Sequence, residues 1–311
     1  MTEPLVSVVV ATRDRPRSLG RLLRSLAGQT LGPDRFEVIV VDDGSSPETA
    51  AVLAADVRTA AVRHPRALGP AAARNTGWRR AGAPLVAFTD DDCTPHPGWL
   101  EALLAASTAH PGAVVQGITR PDPAELDRRG LLSHTVSIEG LGPQYQTCNI
   151  AYPRSLLADL GGFDERFGPG SAGEDTDLAW RAIESGRSTV LASEAVVDHA
   201  VESTGVIGSL RLAVRWGTAV RVLGEHPAAR VMLHRGLFWN VWHYLMWRSL
   251  LALLAPAWLQ RIVVTRHLAQ LRRRAAERGA GSAAVPFLLV RDALECAAVA
   301  GGAVRHRVWV L

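Results

Sequence analysis

The chain contains no lysine: all 34 of its basic Lys+Arg residues are arginines. P-loop nucleotide hydrolases place a lysine on their phosphates, and protein kinases and dehalogenase-type phosphatases also rely on one, so these classes are set aside. Cysteine is scarce. The three residues Cys93, Cys148 and Cys296 are odd in number, widely spaced and form no CxxC pair, which reads as reduced thiols and excludes a disulfide framework or a thiolate knuckle. No secretory leader is expected from the apolar run Leu5 to Ala11, which is short, has no basic region before it, and reads as a first strand. The expectation is a cytoplasmic protein. No basic stripe interleaved with aromatics is present, so no nucleic-acid partner is expected.

Charge is present but unevenly placed. Residues 1–204 hold 19 Arg against 26 Asp+Glu, a balance of −7, whereas residues 205–311 hold 15 Arg against 4, a balance of +11. This asymmetry divides the chain into a domain over 1–204 and a basic region over 205–311. Within the first, Val6 to Ala11 is a β-branched run, followed by leucines at 19, 22, 23 and 26 that make one helical face after Pro16. A second buried run, Phe36 to Val41, ends in Asp42-Asp43-Gly44-Ser45-Ser46. A third strand is expected near 58–62, and a helix opens in Gly69-Pro70-Ala71-Ala72-Ala73-Arg74-Asn75-Thr76-Gly77. Strands alternating with helices predict a mainly parallel, helix-covered α/β sheet with its strand-end loops on one rim.

The fourth apolar run, Pro84 to Thr89, delivers Asp90-Asp91-Asp92. Three adjacent like charges repel, and a fold tolerates them best around a cation; hard carboxylate oxygens suit Mg²⁺ or Mn²⁺, the ions that accompany phosphorylated substrates. A solvated acidic turn is the alternative for the triplet taken alone. Further on, Gly173-Glu174-Asp175-Thr176-Asp177-Leu178 opens a helix that Gly186 ends, and Val196 to His199 reads as a last short strand. Residues 120–147 read as loops.

The valine-rich strand, Asp-Asp-Gly-Ser, Gly-x-x-x-Ala-Arg-Asn-x-Gly, the aspartate triplet and Glu-Asp-x-Asp-Leu follow one another in an order that resembles the family 2 glycosyltransferases, over about residues 5–204. The resemblance implies a GT-A-type, Rossmann-like sheet. It also implies an inverting, metal-dependent transfer of a sugar from a nucleoside-diphosphate sugar to an acceptor hydroxyl. By this resemblance Asp42, Asp43 and Thr12 line the nucleobase pocket, and Arg74 lies near the base or diphosphate. Asp90 and Asp92 match the outer carboxylates of the metal motif, Asp90 or Asp91 meets the ribose, and His199 completes the metal site. Asp175 is the general base, and Glu174, Asp177, Trp180 and Asn149 are acceptor candidates. Trp99 reads as core. The first loop, Ala-Thr-Arg-Asp-Arg, departs from the family's common Pro-Thr-Tyr-Asn, and Thr147-Cys148-Asn149 departs from Gly-x-Asn, so neither the donor base nor the acceptor follows from the resemblance.

In the basic region, Leu237 to Leu259 carries tryptophans at 239, 242, 247 and 258 and approaches a membrane span in length. Asn240, His243, Arg248 and Pro256 interrupt it, and a central arginine costs roughly 2.5–3.5 kcal/mol on insertion scales. An interfacial helix against an anionic membrane, or packing within the protein, are the readings that remain. Pro286 to Val304 reads as an amphipathic helix. The acceptor is then a lipid-linked or cell-envelope glycan, with a small natural-product scaffold as the alternative. A nucleotidyltransferase lacks support because Val6 to Pro16 has no glycine-rich loop, and a binding-only module has no need of the Glu174-Asp175 pair.

Overall fold

The β-branched run of the amino terminus forms a fully buried central strand, and the sheet grows outward from it. In the computed structural model, which describes residues 3–56 and 58–311, contacts divide the chain into two units. The first comprises the stretch ending at Ala124, with Thr135–Gly170 and Glu174–Ala200. Its strands are β1 (Val6–Thr12), β2 (Phe36–Asp42), β3 (Thr59–Arg63), β4 (Leu85–Asp90), β5 (Cys93–Pro95), β6 (Val114–Pro121), β8 (Ile150–Pro153) and β9 (Thr189–His199). They form one sheet in the order β3-β2-β1-β4-β8-β6-β9-β5. The β3-β2-β1-β4 half is parallel throughout, β6 and β9 are also parallel, and β8 and β5 run against their neighbours. The expected mainly parallel sheet is present.

Alternation along β1 explains how both faces are covered. Val6, Val8 and Val10 pack with Leu19, Leu22 and Leu26 of α1 (Pro16–Ala27) and with Trp99, Leu100 and Leu103 of α4 (Trp99–Ala109). Val9 points the other way, into a cluster with Ile39, Phe88, Tyr152 and Leu178, where α3 (Pro70–Trp78) and α6 (Glu174–Glu184) lie. The helices α2 (Pro47–Ala55) and α5 (Arg154–Asp159) complete the unit. Gly77 is glycine because α3 approaches β1 so closely that a methyl group there would overlap the Val9 side chain. Truncating a fully buried leucine such as Leu22 removes about 2–5 kcal/mol from a core of this kind.

One expectation needs correction. The short strand expected over Val196 to His199 is longer: β9 begins at Thr189 and pairs along β6, a strand the alternation did not announce, with a bulge between Gly117 and Ile118. Polar residues Gln116, Thr119 and Arg120 break the apolar pattern of β6, yet Gln116 and Thr119 are buried.

The second unit comprises Glu125–His134, Ser171–Gly173 and Val201–Leu311. The short strands β7 (Ser133–His134) and β10 (Glu202–Ser203) pair antiparallel, and the helices are α7 (Gly205–Glu225), α8 (Val241–Ala252), α9 (Ala257–Glu277) and α10 (Val285–His306). The helices α7 and α10 touch through backbone at Gly217 and Gly302, where any side chain would meet the opposing chain. The apolar run 237–259 is broken in two: Asn240 caps α8 by accepting from the Trp242 and His243 amides at 2.8 and 3.1 Å, and α9 starts after Pro256. Among the described residues no helix is long and apolar enough to cross a membrane.

Candidate active site

Four strand ends make the rim. Register sets Thr12 of β1 beside Asp42 of β2, and Ala11 beside Asp90 of β4. The order 3-2-1-4 reverses direction between β1 and β4, and in open α/β sheets ligands bind in the crevice at the carboxyl ends of such strands. His199 arrives from far along the chain because β9 pairs antiparallel with β5, setting His199 opposite Cys93, while the Ala200 amide donates to the Asp92 carbonyl at 3.0 Å.

The three aspartates have different surroundings. Asp91 is buried and accepts from the Thr12 hydroxyl at 2.7 Å and from Arg15 at 3.3 Å. Burial pushes its carboxyl up to about 7 against the pull of Arg15, with Asp92 adding to the rise. Asp92 is also buried; its Oδ2 takes Arg15 Nη1 at 2.5 Å, while its Oδ1 has no hydrogen-bond partner and faces His199 Nε2 at 3.5 Å. Burial opposes ionisation of Asp92, yet His199 and Arg15 outweigh it and hold the group below the ordinary carboxylate value. His199 Nδ1 donates to the Ala200 carbonyl at 2.9 Å, which fixes Nε2 as the nitrogen presented to Asp92. Asp90 is only partly buried and turns to Arg74.

A buried carboxylate oxygen without a partner, set against an imidazole nitrogen, fits a divalent cation that prefers oxygen and imidazole ligands. Cys93 Sγ lies within 4.8 Å of both groups. In the protein by itself, burial drives its thiol well above the usual range, and the thiol donates to the Cys148 carbonyl at 3.8 Å. Among the described residues, Asp92, Cys93 and His199 are gathered as possible ligands and Asp90 is not gathered with them.

Arg74 ties the triplet to the start of α6. Its Nη2 donates to Asp90 Oδ1 and its Nη1 to Glu174 Oε1, both at 2.9 Å, and the guanidinium lies 5.7 Å from the Phe163 ring centroid. Burial works against its charge, but Asp90, Glu174 and Asp175 outweigh this and raise its pKa further. Asp175 is half-buried, with its Oδ1 accepting the Thr176 amide at 2.8 Å. Burial first and Glu174 second push its carboxyl up to about 7, while Arg74 restrains the shift. A carboxyl near neutrality on the rim suits general-base work.

The remaining candidates are placed as follows. Asp42 Oδ1 accepts the Ser45 amide at 2.8 Å, and its Oδ2 pairs with Arg63 at 3.4 Å. Asp43 accepts from His64 Nδ1 and the Leu68 and Gly69 amides at 2.8 to 2.9 Å, so it organises the loop that leads into α3. Asn149 is fully buried and its amide is consumed by the core: it donates to the Ile118 and Ala195 carbonyls and accepts from Trp99, each at 2.8 Å. Trp99 is core, as expected. Asp177 is bound by Arg181, which also clamps the Leu160 and Gly162 carbonyls. Trp180 is buried and donates to the Pro143 carbonyl at 3.0 Å. Asn149 and Trp180 are thus engaged by buried partners, and Asp177 by Arg181.

Sequence reasoning missed two residues. Arg15 stands at the N-terminal cap of α1, where a cation runs against the helix dipole; that misfit is the signal that carboxylates lie opposite. Asn75 braces the turn before α6, donating to the Phe163 carbonyl at 2.9 Å and to Glu165 at 2.8 Å, and accepting from the Phe163 amide and Trp78 at 2.8 Å.

The sheet and its acidic rim define a protein of the GT-A class. The model of the family described as "Glycosyl transferase family 2" matches residues 7–163, slightly more than half of the chain, and the chain belongs to that family. It is 32% identical over 238 residues to a pre-mycofactocin glycosyltransferase of Mycobacterium tuberculosis, covering 71% of this chain and 48% of the relative. It is 30% identical over 279 residues to a validoxylamine A glucosyltransferase of Streptomyces hygroscopicus subsp. limoneus, covering 76% and 59%. The chain therefore spans about half the length of these relatives. A solved mannosyltransferase of Pyrobaculum calidifontis, in complex with GDP-Man and Mn²⁺, has the same fold, with TM-score 0.59, 21% identity, and 99% and 88% of the two chains covered.

Proposed function

We propose that this chain is an inverting glycosyltransferase that takes a nucleoside-diphosphate sugar as donor and requires Mn²⁺ or Mg²⁺. The observation that carries the reading is the bridge by which Arg74 donates to Asp90 Oδ1 at the end of β4 and to Glu174 Oε1, next to Asp175 at the start of α6, both at 2.9 Å. In this reading Asp175 takes the proton of the acceptor hydroxyl as its oxygen attacks the anomeric carbon, and the bond from that carbon to the diphosphate breaks on the opposite face. Asp92 and His199 hold the cation, whose chemistry is to stabilise negative charge on the leaving diphosphate. Arg74 keeps Asp90 and Glu174 in place, Asp90 or Asp91 meets the ribose, and Asp42, Asp43 and Thr12 border the nucleobase. Glu174, beside the base, remains the acceptor contact of choice. A thermal-shift screen of nucleoside diphosphates and their sugars, with and without Mn²⁺, tests the donor and the metal together. Stabilisation by one base only, and only with the ion, is expected; no stabilisation by any of them would remove the reading.

For the acceptor, we propose a lipid-linked or cell-envelope glycan reached by peripheral docking of the second unit to an anionic membrane at the cytoplasmic face. The support is an exposed apolar tip at the α8–α9 junction, where Leu251, Leu254 and Trp258 are 65%, 88% and 65% exposed, beside exposed Arg261 and Arg266. Tryptophan with arginine suits the headgroup region. A second reading, a small natural-product acceptor, is favoured by the names of the two relatives. Flotation with anionic and neutral vesicles separates them: no binding to either, at low or high salt, would leave the small acceptor.

A further inference from the structure

The second unit contains a cavity of about 140 Å³ lined by Leu131, Ser133, His134, Thr204, Ser209, Leu212, Arg215, Trp216, Arg278 and Arg291. Three arginines and a histidine face it, and no carboxylate does. Arg291 is partly neutralised by Asp292 at 3.3 Å and Glu295 at 3.5 Å. Those two acids are already committed, Asp292 to Arg274 through two bonds of 3.0 and 2.8 Å and Glu295 to Asn240 at 2.8 Å. Among the described residues neither Arg215 nor Arg278 has an acid within ion-pair distance. Arg215 instead lies against the Trp216 ring, 5.4 Å from its centroid, and its buried Nε has no hydrogen-bond partner.

Such a grouping is costly by itself. Although Arg278 is exposed as a residue, partial burial first and then Arg274, Arg291 and Arg129 hold it below the usual arginine range. Thr204 and Ser209 border the cavity from the first turns of the 21-residue helix α7, whose N-terminus adds positive potential. The buried Ser209 hydroxyl supplies a further donor. At this size the cavity is well below the ~300–1,000 Å³ of ordinary small-molecule pockets, so it suits one tetrahedral oxyanion and not a whole nucleotide. Guanidinium forks and hydroxyls are the donors that phosphate oxygens take.

We infer that this cavity is a phosphate-binding site, filled by the phosphate of a soluble ester or by that of a lipid headgroup. It is independent of the donor reading, because every lining residue belongs to the second unit.

The test is a titration of the full chain with inorganic phosphate, followed by ³¹P line broadening in metal-free buffer. Saturable binding is expected, competed by sulfate and not by acetate, and weakened at least ten-fold in Arg278→Gln, an exposed position where folding is retained. Arg215→Gln, checked by circular dichroism, is expected to do the same. Binding of nucleoside diphosphate with Mn²⁺ should be unchanged in Arg278→Gln. Absence of saturation, or equal affinity in wild type and Arg278→Gln, would overturn the site. Vesicles then distinguish the source. Phosphatidylglycerol binding that free phosphate competes and Arg278→Gln weakens assigns a headgroup; vesicle binding indifferent to Arg278→Gln assigns a soluble ester.

Discussion

The two units each collect like charges, with opposite signs and opposite degrees of internal compensation. At the sheet rim three aspartates stand together, but Arg15 and Arg74 are folded onto them, and the buried Asp92 Oδ1 is left without a hydrogen-bond partner. In the helical unit three arginines share a cavity that no acid lines. The difference teaches where each unit has been tuned. In the proposed reading the rim takes up one cation and uses one proton acceptor, whereas the arginine cavity takes a whole anion.

The largest expected effect is on the rim. Asp175→Asn keeps shape and removes the proton acceptor, so turnover should fall by roughly 10²–10⁴-fold while donor binding persists. Steady-state kinetics beside nucleotide titration would show it, and unchanged turnover would remove Asp175 as the base. Next, Arg74→Ala leaves buried Glu174 without its partner and should lower stability by about 3–5 kcal/mol in denaturant unfolding. Arg278→Gln, exposed and without an acid, should stay within about 0.5 kcal/mol of wild type in the same assay. A similar loss in both would erase the contrast between compensated and uncompensated charge.

Effects on pH and metal should be smaller but more specific. Asp175 must be ionised to accept a proton and its carboxyl is pushed up to about 7. The rate should therefore rise with pH up to about 7 and level off above it; a limb ending near 4 would mean the raised value does not belong to the working enzyme. His199→Ala removes one of the three gathered groups, and a rise in the Mn²⁺ concentration needed for half-maximal thermal stabilisation is expected. No rise would assign the ion to the carboxylates alone. The smallest effect is expected from Leu254→Asp at the exposed α8–α9 tip, with unfolding unchanged and flotation on anionic vesicles reduced.

Much of the rim was legible beforehand because its residues sit at strand ends, and strand ends follow from short apolar runs bounded by turn residues. Asp42 and Asp90 follow from such runs, the helix opening at Glu174 follows from its acidic first turn and i,i+4 apolar pairs, and Thr12 follows from the family resemblance. β6 was not, because its buried polar residues are satisfied by pairing that no local pattern announces: Gln116 donates to the Asn149 carbonyl at 2.6 Å. Asn149 illustrates the same limit. Its amide type suits a substrate contact, but Trp99 and two carbonyls take every bond, and only packing decides between those uses.

The sequence by itself determined the alternation of strands and helices, the charge asymmetry, the family and the list of acidic residues, since these depend on local period and residue type. The tertiary structure decided which of them act together. Pairing of β9 with β5 brought His199 to Asp92, folding of the first loop brought Arg15 onto the triplet, and Arg74 joined Asp90 to Glu174 across a long separation in chain. Hydrogen bonds and burial, which fix each carboxylate's proton affinity, exist only once those distant segments meet.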